Sequence, residues 1–345
     1  MADRATNQDW LDLVQEEALE PDLPIIDPHH HLWDFKTGRV NPRYFLEEML
    51  GDTNSGHNIL ATVFIECGAM FREDGPEEEK CLGETEFVNG IAAQSASGLY
   101  GQTRVAAAIV GTAPLSIGES VRDILEKHIE MGGGRFKGIR FGVTWDASPE
   151  VENHRTSPKP GILMGDKFRE GFEQLAKYDL SFEAWCYHPQ ISEVTDLARK
   201  HPNNRIVLDH FGGPIGIGPY ASRKDEVFEE WKQSVTELAA CENVVAKLGG
   251  LNMHVNGYNW HENPKPPTSE DLCEAYRRYF EFTLEKFGVD RCMFESNFPV
   301  DKLSCSYAVC WNSFKRLTAN FSTDEKAKLY HDVAKRVYKL RADAC

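Results

Sequence analysis

The 345-residue chain predicts an α/β fold, a (β/α)8 TIM barrel with long βα loops, treated as one domain over residues 1–345. Three observations carry that prediction. Eight short apolar runs alternate with helix-capable stretches, and their starts are spaced by about 38 residues, comfortable for a βα unit. Each run is rich in β-branched or aromatic residues and short enough for a buried parallel strand. No GxGxxG or GxxxxGK[ST] follows an early run, which removes the usual nucleotide-binding reason for an open doubly wound sheet.

The runs, in order, are LPIID (23–27), ATVFIE (61–66), RVAAAIV (104–110), FKGIRF (136–141), LSFEAWCY (180–187), RIVLD (205–209), NVVAKLG (243–249) and RCMFE (291–295). Between them, Val227, Trp231, Val235 and Leu238 form one apolar helical stripe. Leu272, Tyr276, Phe280, Leu284 and Phe287 form another, after Pro266-Pro267 and before Gly288. Ser322-Thr323-Asp324-Glu325 reads as a capping box opening a C-terminal helix over 322–341. The N-terminal extension, 1–22, offers one apolar edge (Trp10, Leu11, Val14) to the barrel or to a second copy of the chain in a homo-oligomer. Two segments, 142–165 and 252–267, read as long binding loops or ordered surface excursions.

Composition narrows the partners. Lys and Arg number 38 against 54 Asp and Glu, a formal charge of −16, which argues against nucleic acid or an anionic membrane surface and for a small-molecule substrate. No apolar run approaches 18 residues, and the start, MADRATNQDW, lacks a signal-peptide pattern, so a cytoplasmic location is expected. Nine cysteines are scattered without a CxxC pair, as expected for reduced thiols.

The sharpest motif is Asp27-Pro28-His29-His30-His31-Leu32-Trp33-Asp34, at the end of the first run. On an extended chain His29 and His31 face one side, and two imidazoles leaving a strand together suit a divalent metal. Other polar residues fall at other run ends: Arg140, His188, His210, Glu295 and Asn297. In a (β/α)8 barrel these ends form one rim, so residues distant in sequence converge. Strict alternation predicts Ala184 and Cys186 on the His188 side, Glu295 beneath Asn297, and Asp27 on the His29 side.

DPHHHLWD, His188, LDHFGGP and FESNFPVD together resemble the amidohydrolase-2 type of metal-dependent hydrolase, within the amidohydrolase superfamily, which includes sugar lactonases and a pyrone-dicarboxylate lactonase. The likeness runs from about Leu23 to Val300 and implies the same barrel. It implies hydrolysis of a lactone or similar carboxylic ester of a small, oxygen-rich substrate, with one divalent metal, Zn2+, on His29, His31 and His188. His210 then shuttles protons or stabilises the oxyanion. Asn297 stands where such relatives usually carry Asp, and an amide has no basic nitrogen. Glu295 becomes the first candidate for general base, with Asp301 behind it, and a metal-free mechanism is the second expectation. No lysine in the FKGIRF run sits in phase with Arg140, so a two-metal centre is not expected. Arg140 is read as a grip for a substrate carboxylate, and Trp145, Tyr258 and Trp260 as stacking surface. Two competing classes stay open: a nonoxidative decarboxylase of an aromatic or enoic acid, and a non-catalytic ligand-binding barrel.

Overall fold

The computed structural model describes residues 6–35 and 40–341. All eight apolar runs form strands of one parallel sheet in consecutive order. They are β1 (Pro24–His30), β2 (Asn58–Ile65), β3 (Arg104–Gly111), β4 (Phe136–Arg140), β5 (Ser181–Ala184), β6 (Arg205–Leu208), β7 (Val244–Leu248) and β8 (Cys292–Phe294). The seam between β8 and β1 closes just past the strands, where His31 N donates to Phe298 O (2.8 Å) and Asn297 N to His29 O (3.0 Å). The eight strands make a nearly closed barrel with helices outside it, the (β/α)8 arrangement expected from the spacing.

Each strand sorts its side chains by alternation. Outward residues such as Phe182, Leu208 and Phe294 pack beneath the helices. Inward residues Ile26, Val63, Val110, Val207, Val245 and Met293 fill the lower barrel together with Val333, Val337 and Tyr338 from the chain's end. The C-terminal segment therefore plugs the bottom. It opens with the predicted Ser322–Glu325 capping box, passes through a π-helical turn at Lys328–Asp332 and ends its helix at Val337, four residues short of the expected boundary.

The two amphipathic stripes face inward as expected, on helices Lys224–Ala239 and Ser269–Phe287. The N-terminal extension lies along the barrel, with Leu11 buried and Trp10 Nε1 donating to Asn263 O (3.0 Å); its first five residues lie outside the described residues. A two-residue antiparallel hairpin, Trp33–Asp34 with Arg43–Tyr44, follows β1 and has no counterpart in the sequence reading. Among the described residues, no helix is long and apolar enough to cross a membrane.

Candidate active site

The C-terminal ends of the strands surround a cavity of about 580 Å3, lined by His31, Trp33, Arg140, Trp185, His210 and Asn297 among others. Its floor is set by inward alternation continued past the lower apolar layer. Val245 is followed two residues on by Lys247, Val207 by Asp209, and Met293 by Glu295, so each strand replaces an apolar inward residue with a charged one.

Glu295 organises two of the histidines. Its Oε1 accepts from His210 Nδ1 (2.6 Å) and His210 N (3.2 Å), and its Oε2 lies 2.8 Å from His29 Nδ1. The close fit requires Gly250 at φ +73°, because a Cβ there would sit 2.1 Å from His210 Nδ1. His210 and Asn297 themselves adopt left-handed backbone (φ +52° and +56°), a mild strain that such sites commonly hold.

Lys247, fully buried, lies 2.7 Å from Glu183 Oε2, 3.2 Å from Asp209 Oδ1 and 3.2 Å from His29 Nδ1. Arg140 donates Nε to Glu66 Oε1 (2.9 Å) and places Nη1 3.3 Å from His29 Nε2. Burial pushes the Glu183 carboxyl up to about 8 against the pull of Lys247, and the Asp209 charge adds to the rise. Burial, then Lys247, holds the His29 imidazole well below its usual range, so it is neutral at pH 7. Four buried carboxylates (Glu66, Glu183, Asp209, Glu295) thus face two buried cations and the half-exposed Arg155, which pairs with Glu66. With the Glu183 carboxyl protonated at pH 7, the three remaining carboxylates are balanced by the three cations, and the cluster is close to neutral.

His31 is held separately. Its Nδ1 meets Ile65 O at 2.8 Å, and a carbonyl only accepts, so Nδ1 carries the proton. Its Nε2 lone pair then points at Asn297 Oδ1, 3.3 Å away. That amide is fixed from behind, because Asn297 Nδ2 donates to Asp301 Oδ1 (2.7 Å). Burial, then the Arg140 charge, keeps His31 neutral.

Several expectations need correction. His188 is not with the other histidines: its Nδ1 accepts from Ile215 N (3.3 Å), and its buried Nε2 lacks a hydrogen-bond partner, 3.8 Å from Glu230 Oε2. The parity expected for β5 is also reversed: Glu183 points in, while Ala184 and Cys186 sit in the outer core. Asp27 does not lie beneath His29. A register irregularity between Asp27 and His30 turns it to accept from Ser296 N (3.0 Å) and Tyr307 Oη (2.9 Å) at the seam. Arg140 is not an open carboxylate grip, since its guanidinium is spent on Glu66 and His29. Tyr258 stacks on Trp260 (5.8 Å, 1°), and Trp260 Nε1 donates to Tyr276 Oη (3.0 Å), so both pack the 252–267 loop onto its helix. Trp145 does not border the cavity either. The aromatic wall is Trp33, Trp185 and Tyr187, with His154 and Arg155 supplied by the 142–165 loop. Glu66, Glu183, Asp209 and Lys247 were missed. Each is a charge within or closing an apolar run, and for Glu183, Asp209 and Lys247 inward parity was the available signal; Glu66 follows Ile65 at the opposite parity and carried none.

His29, His210 and Glu295 each bring one possible ligand atom within 4.8 Å of the other two, a possible metal site. A second cavity of similar volume opens at the opposite end of the barrel. Its Arg291 and Arg336 are spent on backbone carbonyls, and no histidine cluster lines it.

Comparison with known proteins agrees with this geometry. Residues 26–340 match the family model described as Amidohydrolase. A Sinorhizobium fredii protein called Uncharacterized protein y4mH is 33% identical, over 92% of this chain and 99% of its own. An L-fucono-1,5-lactonase of Burkholderia multivorans is 24% identical, over 91% of this chain and 96% of its own. A crystal structure of a zinc-bound amidohydrolase from Burkholderia multivorans has a similar fold, with TM-score 0.67 and 22% identity over 92% of this chain and 99% of that one.

Proposed function

Because the chain belongs to the amidohydrolase family, we propose that this enzyme is a lactonase, opening the cyclic ester of a small sugar acid by adding water to its carbonyl. The observation that carries the reading is the His31–Asn297 pair at the floor of a cavity walled by three aromatic rings. In the resting state two lone pairs face each other across 3.3 Å, which is unfavourable until a proton lies between them. The pair therefore suits the protonated imidazole, the state reached when His31 takes a proton from an attacking water. Asn297 fills this role as a neutral amide, whose Oδ1 accepts from the protonated Nε2 while its Nδ2 stays on Asp301. The water's oxygen bonds to the carbonyl carbon, and the positive charge of Arg140 at the floor, held in place by Glu66 and His29, offsets the oxyanion through its field. When the ring C–O bond breaks, His31 returns its proton to the departing alkoxide, leaving an open hydroxy acid.

The donor set also fits a divalent cation. Both oxygens of Asp209 and Oε2 of Glu295 are buried and make ion pairs with Lys247, Arg140 and His29 but no well-aligned hydrogen bond, which leaves lone pairs for an ion. In our reading the ion is zinc, on His29, His210 and Glu295, rather than on His29, His31 and His188. When bound, it polarises the carbonyl and lowers the pKa of a bound water. The aromatic wall suits the apolar face of a sugar ring, and Arg155 and His154 suit its hydroxyls or a carboxylate. The relatives called L-fucono-1,5-lactonase support the substrate class. A cytoplasmic location belongs to the same reading.

The test is acid release from L-fucono-1,5-lactone and related sugar lactones, with metal content measured on the same preparation. Proton release that falls on chelation and returns with zinc is the expected result. Carbon dioxide release from an aromatic acid, with no lactone opened, would overturn the reading in favour of a decarboxylase.

A further inference from the structure

The cavity wall is tied to a segment outside the barrel and outside the matched 26–340 span. Asn7 Nδ2 donates to Lys302 O (2.8 Å) and Leu303 O (3.3 Å), in the loop after β8. Its Oδ1 accepts from Asn41 Nδ2 (2.9 Å), in the loop after β1. Asn41 in turn accepts Trp33 Nε1 on its carbonyl (3.0 Å), and Trp33 stacks on His31 at 5.8 Å and 15°. Leu303 and Trp33 both line the cavity.

One amide therefore spans two loops and uses both of its ends, and each loop carries a wall residue. The connection through Asn41 is constrained: Asn41 is nearly buried and held at φ +56°, a conformation that asparagine tolerates better than most residues. The loop after β8 has a second anchor, because Lys302 Nζ reaches Asp52 (2.8 Å) and Asp52 also accepts from Tyr44 Oη (2.6 Å). Losing Asn7 thus frees the wall without unmooring the whole loop.

The geometry points to Asn7 as a positioning residue that sets the distance between Trp33 and Leu303, and with it which substrate ring the cavity accepts. This inference rests on the lactonase reading for its kinetic readout but not for its structural one.

The experiment compares wild type, Asn7→Ala and Asn7→Asp with L-fucono-1,5-lactone, alongside fluorine NMR of protein carrying 5-fluorotryptophan, with Trp33 assigned by Trp33→Phe. Asn7→Ala should raise KM about five- to ten-fold, leave kcat within about two-fold, and shift the Trp33 resonance. Asn7→Asp keeps the oxygen that Asn41 uses and loses the donor to Lys302 O and Leu303 O. It should raise KM while leaving the Trp33 resonance in place, and it serves as the second variant where Asn7→Ala fails to fold. Unchanged KM and resonance in Asn7→Ala would overturn the inference, as would a fall in kcat at constant KM. If wild type opens no lactone, the lactonase reading fails by itself, and the Trp33 resonance in Asn7→Ala still decides the clamp.

Discussion

The ends of β5 and β6 make an instructive pair. Both strands are four residues long, both are followed by a histidine, and the sequence places both histidines in the site. His210 comes two residues after Leu208 and lands on the floor against Glu295. His188 comes four residues after Ala184 and ends among Tyr220, Asp146, Arg223 and Glu230, beneath the loops. At about 3.3 Å per residue, two further residues carry a side chain beyond the layer where inward groups meet. Strand-end chemistry is dependable for roughly the first three residues past the ladder, as Asn297 after Phe294 shows; beyond that the loop decides.

The largest effect should come from the floor. His31→Gln removes the proton acceptor while keeping a polar group beside Asn297, and kcat should fall by about 10²- to 10⁴-fold with KM nearly unchanged. Steady-state kinetics with an unchanged melting temperature would show this. An equal loss in His188→Gln would break the comparison, since that ring borders none of the floor.

Lys247→Met tests what holds the floor together. The variant leaves the Asp209 carboxylate buried without its cation, which should cost about 3–5 kcal/mol, read as a lowered urea midpoint at pH 7. The deficit should narrow as the pH falls and the carboxylate protonates. A midpoint within experimental error of wild type would mean that Lys247 is dispensable to the fold.

Much of this floor was readable beforehand, and the reason is periodicity. Eight runs became eight strands in order, because strand length, β-branched content and spacing leave few arrangements. Glu295 and Asn297 followed from alternation on β8, whereas His29 reaches the floor through the register irregularity between Asp27 and His30. Lys247 and Glu183 were equally accessible, since a charge inside VVAKL or SFEA can only point into the barrel or under a helix. Asp27 was misplaced because the register irregularity after it leaves no mark in composition. Trp145, Tyr258 and Trp260 were misread for another reason. Aromatic content says that a loop packs against something, and only tertiary contacts decide whether that is a substrate or the loop's own helix.

The smallest effect concerns His188 itself, and acid should reveal it. Burial pushes its imidazole down to about 4, partly opposed by Asp146 and reinforced by Arg223. The folded protein therefore keeps His188 neutral while the unfolded chain protonates it below about pH 6.5. Protons bind the unfolded state first, so stability is lost as the pH falls from about 6.5 to about 4, and below that no further loss comes from this group. The gap corresponds to at most about 3.4 kcal/mol, from roughly 1.36 kcal/mol per pKa unit. His188→Gln removes the titrating group, so its urea midpoint should change less between pH 7 and pH 4.5 than that of wild type. If the two proteins lost stability in parallel, His188 would be titrating as an exposed group. The corner beneath the loops would then be wetter than the packing of Tyr220 and Ile215 around it implies.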